Sequence, residues 1–460
     1  MTPHDSSETG VKQVAGVAGG AGRTVIVGLG RTGLSCARYL TARGVEFAVT
    51  DSRPQPPEAA ALAQLAPHVE VRFGGFDARL LEGAGEIVVS PGVSLREPFL
   101  TQAAARGAAV IGDIELFARA AQAPVVAITG TNGKSTVTTL VANMAQSSGI
   151  RALAGGNLGR PALDLLNEPV PQLYVLELSS FQLDTTHSLS TRAATVLNVT
   201  SDHMDRYASL DEYADSKARI FDRSDASIIN LDDAVVRAMR GRSPRTIGFS
   251  LLRDPVADFY AVHEDGDAIL MHEDEAVVRM SELKIAGLHN AANALAALAM
   301  ANALGLPIEP CVQALREFPG LPHRSQWIAD IKGVRFFDDS KGTNVGATLA
   351  AVAGMSGSLV LIAGGQGKGQ DFKPLAAAFR GKVRHVVLLG QDADQLAAAL
   401  DNTCTLEFAR DMSEAVTRAA NAARPGETVL LSPACASLDM FRDYAHRGDV
   451  FAAAVKGLPA

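Results

Sequence analysis

Short runs of β-branched residues alternate with Ala- and Leu-rich stretches along most of this chain, and this alternation is its strongest structural constraint. It starts at residues 24–27, where an apolar run precedes a Gly-rich turn and a helical stretch, and it continues to residues 428–431. Alternation of this kind is typical of parallel sheets packed against helices. A length of 460 residues favours about three domains. The sequence therefore predicts an α/β protein with several mostly parallel sheets.

Two interruptions divide the pattern into three α/β units. Pro124 precedes a new strand, and a Pro/Gly cluster at residues 319–322 resembles a linker. Residues 240–285 are richer in charge and predict an insertion of antiparallel strands. The expected segments are a flexible N-terminal extension at 1–22, a first domain at 23–112, a central domain at 113–320 and a C-terminal domain at 321–460.

Composition excludes several classes of protein. The net charge is -8, from 50 acidic against 42 basic residues, which argues against nucleic acid or an anionic membrane as the main partner. The Ala-rich segment 291–306 is too short to span a bilayer and predicts a buried helix. We find no signal-peptide pattern at the N-terminus and expect a cytoplasmic protein. The four cysteines lie far apart, as in a reducing compartment: Cys36, Cys311, Cys404 and Cys435.

The first Gly-rich motif, residues 28–33, has the spacing GxGxxG after a strand and before a helix, and Asp51 ends the next strand. This layout is that of a dinucleotide-binding turn, in which glycines let the backbone approach a diphosphate. A lone GxGxxG is a weak signal, and a tight turn without a ligand is the alternative. We expect a diphosphate here, which need not belong to a nicotinamide cofactor.

The second Gly-rich motif is stronger. Residues 129–136, TGTNGKST, lie between an apolar strand and a helix. Backbone N–H groups of such a loop cradle phosphates, Lys134 reaches the β- and γ-phosphates, and a hydroxyl of Ser135 or Thr136 holds Mg²⁺. The full P-loop pattern requires glycine at position 128, where this chain has Ile128.

Candidate metal ligands follow two later strands. Glu177 ends an apolar run, and His203 follows the next one. Ligands of open α/β sheets gather at the carboxyl ends of the strands, so both side chains are expected to face the phosphate loop. From the sequence alone, Lys217 is predicted to be a solvated lysine on a helix.

Several long motifs resemble the Mur ligase family. Residues 129–136, 177–183 (ELSSFQL), 198–207 (NVTSDHMDRY) and 432–439 (SPACASLD) are similar to motifs of the whole family. Four more motifs resemble its D-glutamate-adding branch, and the likeness runs from about Val25 to the C-terminus. Those four are GLGRTGLS at 28–35, DIELF at 113–117, GLPHR at 320–324 and DDSKGTN at 338–344.

The resemblance implies a fold and a reaction. The fold has a Rossmann-like N-terminal domain, a central P-loop-type ATPase domain and a C-terminal Rossmann-like domain. In the reaction, ATP phosphorylates the alanine carboxylate of UDP-N-acetylmuramoyl-L-alanine, and the amine of D-glutamate then attacks the acyl phosphate. The implied cofactors are ATP, Mg²⁺ as two ions and a carbamylated Lys217. The implied partners are these small molecules, and a monomer is expected.

The resemblance also implies site residues. Catalytic roles fall to Lys134, Glu177, His203 and Lys217. The metal ligands are Ser135, Glu177, His203 and the Lys217 carbamate. ATP-binding residues are Gly130, Thr131, Asn132, Gly133, Lys134, Ser135, Thr136, Asn290, Asn293, Arg324 and Asp339. Residues for the UDP substrate are Arg31, Thr32, Ser52, Arg53, Ser90 and Asn157. Residues for D-glutamate are Ser180, Gln182, Thr343, Lys368, Ser437 and Leu438. Lys341 either pairs with a glutamate carboxylate or holds its loop.

Two departures from the branch pattern, Gln366 and Tyr444, lie near the expected D-glutamate pocket. The alternatives to this ligase are a relative that adds a different amino acid, or a folylpolyglutamate synthase. A nicotinamide oxidoreductase would use the first Gly-rich motif and Asp51. A nucleotide-sensing protein without turnover would share the phosphate loop.

Overall fold

The structure, a computed structural model, describes residues 22–264, 267–285, 287–355 and 357–459. Apart from Gly22, the expected N-terminal extension lies outside the described residues. The chain divides into two units, one ending at Ala120 and one starting at Ala121. The domain boundaries at 112 and 320 stay predictions.

The first unit is built on one parallel sheet. Its strands are β1 (Arg23–Val27), β2 (Phe47–Asp51), β3 (Glu70–Phe73), β4 (Ala84–Val89) and β5 (Ala109–Ile111). Its helices are α1 (Arg31–Thr41), α2 (Ala59–Leu65), α3 (Pro98–Ala105) and α4 (Asp113–Ala120). The strand order β3-β2-β1-β4-β5 is that of a doubly wound, Rossmann-like sheet. Val25, Ile26 and Val27 are fully buried, as expected of a central parallel strand.

The second unit contains a nine-stranded sheet. Its strands are β6 (Val125–Thr129), β7 (Ala152–Gly156), β8 (Leu173–Glu177), β9 (Ala193–Val196), β10 (Ala226–Asn230), β11 (Arg245–Ser250), β12 (Phe259–Glu264), β13 (Asp267–His272) and β14 (Glu275–Arg279). The associated helices are α5 (Lys134–Ser147), α6 (Ala162–Leu165), α7 (Ser180–Leu183), α8 (Leu210–Ala218), α9 (Ala234–Arg237), α10 (Leu288–Ala303) and α11 (Ile308–Glu317).

The order of this sheet is β14-β13-β12-β11-β10-β9-β6-β8-β7. Strands β6 to β11 pair in parallel, and β12, β13 and β14 form an antiparallel meander at one edge. The antiparallel insertion expected over residues 240–285 is therefore confirmed for β12 to β14. It is wrong for β11, which pairs in parallel with both of its neighbours.

Helix α10 confirms the predicted buried Ala-rich helix, with shifted ends. Its residues 294–301 are almost completely buried and pack against α5 and β11. The expected helix extended to residue 306, but α10 ends at Ala303. Gly305 has a φ of +70° just beyond the Leu304 cap, a left-handed conformation that commonly terminates helices.

The second unit also contains a six-stranded sheet. Its strands are β15 (Gln326–Ile331), β16 (Val334–Asp338), β17 (Leu359–Gly364), β18 (Val383–Leu389), β19 (Thr405–Phe408) and β20 (Thr428–Leu431), in the order β15-β16-β20-β17-β18-β19. Its helices are α12 (Val345–Gly354), α13 (Lys373–Phe379), α14 (Ala393–Ala399), α15 (Met412–Ala422) and α16 (Tyr444–Lys456). Only β15 runs antiparallel to its neighbour.

The α/β class with mostly parallel sheets is confirmed. Within the part of the chain that the structure describes, no helix is both long and apolar enough to cross a membrane.

The turn after β1 depends on a close backbone approach at Gly33. A Cβ atom there would lie 2.1 Å from the carbonyl oxygen of Gly28, whereas a Cβ atom on Gly30 would meet nothing within 4 Å. We therefore expect Gly33→Ala to destabilise the first unit by about 1–3 kcal/mol, the usual cost of overpacking. Hydrogen exchange of peptides spanning β1 and α1 is the measurement, with Gly30→Ala as the matched control. Equal protection in the two variants would contradict the prediction.

Candidate active site

The phosphate-loop motif connects β6 to α5. Gly130 and Gly133 adopt φ values of +146° and +85°, which other residues rarely accept. Asn198, which follows β9, holds the loop from the side. Its Oδ1 accepts from the backbone N of Asn132 at 2.8 Å, and its Nδ2 donates to the Asn132 carbonyl oxygen at 3.1 Å. The loop thus presents the N-terminus of α5, where backbone N–H groups and the helix dipole favour an anion.

Two lysines, one half-buried and one buried, converge on this loop. The Nζ atom of Lys134 donates to the carbonyl oxygens of Gly130 at 2.8 Å and Thr131 at 2.9 Å. The Nζ atom of Lys217, on α8, donates to the same Gly130 oxygen at 3.1 Å and lies 4.4 Å from the ring centre of Tyr213. Lys217 is only 1% exposed, so reading it as a solvated helix lysine is wrong.

Burial controls the ionisation of these groups. It lowers the pKa of Lys134, although Glu177 and Asp202 act in the opposite direction. Burial, and then the nearby Lys134 ammonium, bring the pKa of Lys217 well below its usual value. Burial likewise lowers the pKa of His203 to about 4 against the pull of Asp202. His203 is therefore a neutral imidazole at neutral pH, the form that binds metals.

Glu177 ends β8 next to β6, in register with Ile128. Its side chain is buried, and its Oε1 accepts a hydrogen bond from Asn157 Nδ2 at 2.7 Å. Its Oε2 is buried and has no hydrogen-bond partner among the described residues. A buried carboxylate oxygen without a partner is costly, so this atom is suited to a cation.

The predicted metal ligands do not form a cluster made only of acidic and imidazole side chains. The described ranges contain no group of three or more His, Cys, Asp and Glu residues that could hold a metal. The predicted ligand set is not such a group, because it combines a hydroxyl, one carboxylate, one imidazole and a carbamate. Mg²⁺ bound with nucleotide phosphates needs only one or two protein carboxylates. The unpartnered Oε2 of Glu177 beside the phosphate loop fits that requirement.

A cavity of about 280 Å³ lies between the phosphate loop and the six-stranded sheet. Across it, the Arg324 guanidinium donates through Nη2 to Ser135 Oγ at 2.8 Å. The predicted ATP residues that line the cavity are Asn132, Gly133, Thr136, Asn290, Asn293, Arg324 and Asp339. Sequence reasoning missed other lining residues, which include Asn198, Asn230, Phe249, His289 and Ser325. Asn198 could have been found, since it stands in the motif that contains His203.

A second cavity, of about 620 Å³, adjoins the first along the linker. The two share Thr136, His289, Asn290, Arg324 and Ser325. The second is also lined by the cationic side chains of Lys284 and Arg335 and the aromatic side chains of Trp327 and Phe337. The described residues that line it include no acidic one. Together the cavities offer an anion-binding end at the phosphate loop and an aromatic-lined end at the linker.

Asp339 and Lys341 follow β16 at the edge of the first cavity. Asp339 accepts hydrogen bonds from Ser432 Oγ at 2.8 Å and from the backbone N of Ser325 at 3.1 Å. Burial nevertheless raises the pKa of Asp339 to about 7. Burial, together with Arg324, lowers the pKa of Lys341 to about 7, and its Nζ lies 3.9 Å from the ring centre of Tyr444.

The residues predicted for D-glutamate come from both sheets of the second unit. Gln182 is buried and serves in the capping box of α7, where its Oε1 accepts from Ser179 N at 3.1 Å. Lys368 has a φ of +56° and forms a 2.5 Å ion pair with Asp202. Ser180 and Ser437 are buried, Thr343 is half-buried, and Leu438 is exposed. The departure at Gln366 concerns a residue that pairs through its backbone with Ala436.

Five residues predicted for the UDP substrate belong to the first unit. Asp51 connects the turn after β1 with the loop after β2. Its carboxylate accepts from Leu29 N at 2.6 Å and pairs with the Arg53 guanidinium at 2.7 Å. Burial acts to raise the pKa of Asp51, but these hydrogen bonds hold it below its usual value. Ser90 Oγ donates to the Gly28 carbonyl at 2.8 Å. Of the remaining three, Arg31 and Thr32 are the first two residues of α1, directly after the loop that contains Leu29, and Ser52 directly follows Asp51.

The sixth residue predicted for the UDP substrate, Asn157, belongs to the second unit. Its backbone N and its Nδ2 both donate to Glu177, at 2.8 Å to the carbonyl oxygen and at 2.7 Å to Oε1.

Family profiles match three successive parts of the chain. Residues 22–112 match the "Mur ligase MurD-like, N-terminal domain", residues 128–301 the "Mur ligase middle domain", and residues 323–435 the "Mur ligase, glutamate ligase domain". The chain belongs to the Mur ligase family. The resemblance inferred from the motifs is thereby confirmed.

Relatives of this Mur ligase match it over nearly their whole length. The UDP-N-acetylmuramoylalanine–D-glutamate ligase of Nitrosococcus oceani is 51% identical over 439 residues, which cover 95% of this chain and 97% of the relative. The enzyme of the same name from Methylobacillus flagellatus is 50% identical over 440 residues, with coverage of 95% and 97%. That of Pseudomonas aeruginosa is 50% identical over 438 residues, with coverage of 94% and 98%.

Solved structures support the fold. MurC, the UDP-N-acetylmuramate–alanine ligase of Thermotoga maritima, superimposes with a TM-score of 0.60 at 17% identity, over 95% of this chain and 99% of that one. MurF from Acinetobacter baumannii has a TM-score of 0.60 at 20% identity, over 83% and 92% of the two chains.

The raised pKa of Asp339 predicts a pH-dependent stability in the ligand-free enzyme. Because its pKa is higher in the folded than in the unfolded chain, its contribution is fully present below about pH 4 and is lost as the pH rises to about 7. The contributed slope is at most about 1.4 kcal/mol per pH unit. Asp339→Asn should therefore lose less stability over this range than the wild type does. Urea unfolding at several pH values is the measurement, with the exposed Asp371→Asn as the control. Parallel pH profiles for Asp339→Asn and wild type would contradict the prediction.

Proposed function

We propose that this Mur ligase joins D-glutamate to UDP-N-acetylmuramoyl-L-alanine in an ATP-dependent step of peptidoglycan precursor synthesis. The observation that carries the proposal is the similarity, at about 50% identity over almost the whole chain, to enzymes named UDP-N-acetylmuramoylalanine–D-glutamate ligase. Two features of the site support it. The phosphate loop is cationic, and an unpartnered carboxylate oxygen lies beside it.

The chemistry proceeds in two steps. A carboxylate oxygen of the substrate's alanine attacks the γ-phosphorus of ATP, the bond to the β–γ bridging oxygen breaks, and ADP leaves. The amine nitrogen of D-glutamate then attacks the acyl carbon and loses a proton. The tetrahedral intermediate collapses to the amide and releases inorganic phosphate. A carboxylate is a poor electrophile, so phosphorylation supplies the leaving group, and the protein contributes positioning and charge stabilisation.

The proposal gives individual residues the following roles. Lys134 leaves its two carbonyl partners to bind the β- and γ-phosphates, and Arg324 contacts the nucleotide from the six-stranded sheet. Asp339, Asn290 and Asn293 bind the nucleoside end. Mg²⁺, when bound, neutralises phosphate charge, and Ser135, Glu177, His203 and a Lys217 carbamate would hold it.

The two other substrates are assigned to separate groups of residues. The uridine diphosphate of the first substrate is bound by the first-unit residues Arg31, Thr32, Ser52, Arg53 and Ser90. The role of Asn157, in the second unit, rests on the resemblance alone. D-Glutamate is bound by Ser180, Gln182, Thr343, Lys368, Ser437 and Leu438.

Amino-acid-dependent phosphate release tests the proposed function. Purified enzyme with ATP, Mg²⁺ and UDP-N-acetylmuramoyl-L-alanine should release phosphate when D-glutamate is added, and much less with L-glutamate, L-alanine or a diamino acid. Such discrimination is expected because a site built to pair charged groups rejects ligands that leave those groups unpaired. Equal release with L-alanine or a diamino acid would refute the assignment. Thermal stabilisation by NAD and none by ATP with Mg²⁺ would favour an oxidoreductase instead.

The carbamate on Lys217 is the second proposal to be tested. Carbamate formation requires a neutral amine, and the depressed pKa of this buried lysine favours that form. Incubation with carbon-13-labelled bicarbonate should give one carbamate resonance that Lys217→Ala lacks and that the exposed Lys373→Ala retains. Removal of bicarbonate should reduce wild-type turnover reversibly, and Lys217→Ala should lose most of its activity, about a hundredfold or more. A resonance that persists in Lys217→Ala would contradict the role.

A further inference from the structure

One carboxylate in the loop after β9 contacts two separate elements of the six-stranded sheet. Asp202 is 6% exposed, and its Oδ1 accepts from Lys368 Nζ at 2.5 Å. Its Oδ2 accepts from Nδ2 of Asn344 at 3.1 Å. The same Oδ1 also accepts from the backbone N of His203 at 2.9 Å, which fixes the carboxylate in its own loop.

Asn344 extends this contact to the phosphate loop. It is 2% exposed, and its Oδ1 caps α12 by accepting from Ala347 N at 2.8 Å. Its Nδ2 also donates to Asn132 Oδ1 at 3.2 Å, while Asn132 Nδ2 donates back to Asn344 Oδ1 at 3.3 Å. One amide therefore joins the start of α12 to both Asp202 and the phosphate loop.

Both partners of Asp202 belong to loops that we assign to D-glutamate. Lys368 is itself a proposed ligand of the amino acid, and Thr343 directly precedes Asn344 in the chain. The Lys368 side chain is largely buried, with 16% of its surface exposed, so its position depends on the few groups that contact it. Lysine has three N–H donors, so an ammonium held by Asp202 can still bind a substrate carboxylate.

We propose that Asp202 is a positioning residue for D-glutamate, which sets the Lys368 ammonium and the Thr343–Asn344 loop against the phosphate loop. The proposal rests on the proposed function and extends it, since it names the group that couples the amino-acid site to the nucleotide site. Asp202 acts through Lys368 and Asn344 and does not itself contact the amino acid. A buried ion pair is weak evidence of stabilisation, because desolvation offsets much of the attraction. Positioning of the Lys368 ammonium therefore explains the Asp202–Lys368 pair better than stabilisation of the fold does.

Exchange of the two side chains separates positioning from simple stability. In Asp202→Asn, if the one side-chain oxygen still accepts from Lys368, the introduced NH2 group faces the Nδ2 donor of Asn344, and if the oxygen turns to Asn344, Lys368 loses its acceptor. Asn344→Asp keeps an oxygen that caps α12, but it sets a second carboxylate against Asp202. Each single variant should raise the KM for D-glutamate roughly tenfold or more. Asp202→Asn should change the KM for ATP much less, whereas Asn344→Asp also loses its donor to Asn132 and should raise both KM values. In the double exchange, the amide introduced at position 202 can donate to the carboxylate introduced at position 344. The KM for D-glutamate should then return to within about threefold of the wild type.

Asp233→Asn is the matched control. Asp233 supports the same loop, because its Oδ2 accepts from Val199 N at 2.8 Å, but its hydrogen bonds stay within the nine-stranded sheet and its loops. This variant should lose stability without a change in the KM for D-glutamate.

The outcomes distinguish this inference from the proposed function. If the wild-type enzyme shows no D-glutamate dependence, the proposed function fails. If the wild type depends on D-glutamate but Asp202→Asn leaves its KM unchanged, only the positioning role is overturned. The positioning role is also overturned if the KM for D-glutamate of the double variant rises by the product of the two single fold-changes. Such a result would mean that the two side chains act independently.

Discussion

The side-chain nitrogens of two lysines share one backbone carbonyl oxygen in the phosphate-loop motif. Lys134 and Lys217 both donate to the carbonyl oxygen of Gly130, a residue whose φ of +146° is rarely accepted by other residue types. Two ammonium charges at one carbonyl oxygen lose hydration and repel each other, so the pKa values of both lysines are lowered. The nearby carboxylates of Glu177 and Asp202 offset part of that charge. The remainder suits anionic ligands, which explains how a chain with a net charge of -8 can select phosphates.

The site that we propose for the nucleotide is formed by residues that lie far apart in the chain. Arg324 and Ser135 are 189 positions apart, and the two asparagines that join the phosphate loop to α12 are separated by 212. Each contact connects the nine-stranded sheet to the six-stranded one. A small shift of one sheet relative to the other would therefore alter the phosphate contacts and the amino-acid contacts together. Catalysis in this enzyme depends on how accurately two rigid sheets meet.

The sequence predicted the parallel strands well, because buried strands are continuously apolar and stand out between Ala-rich helices. It did not predict β15, none of whose six residues is buried and whose exposure shows no clear alternation. The phosphate loop and Glu177 could be located because motif and strand end coincide. The burial of Lys217 could not, because α8 carries charged residues and shows no strong apolar face. The pairing of Asp202 with Lys368 could not be predicted either, since nothing in a single sequence indicates a contact across 166 positions.

The edge strand β15 carries Trp327, the chain's one tryptophan, at the rim of the larger cavity. Its side chain is 58% exposed, so water reaches the indole directly. The whole of the protein's tryptophan emission therefore comes from a single point beside the linker. A change in the surroundings of Trp327 should therefore alter the wavelength and intensity of the fluorescence of unlabelled enzyme, without interference from other indoles.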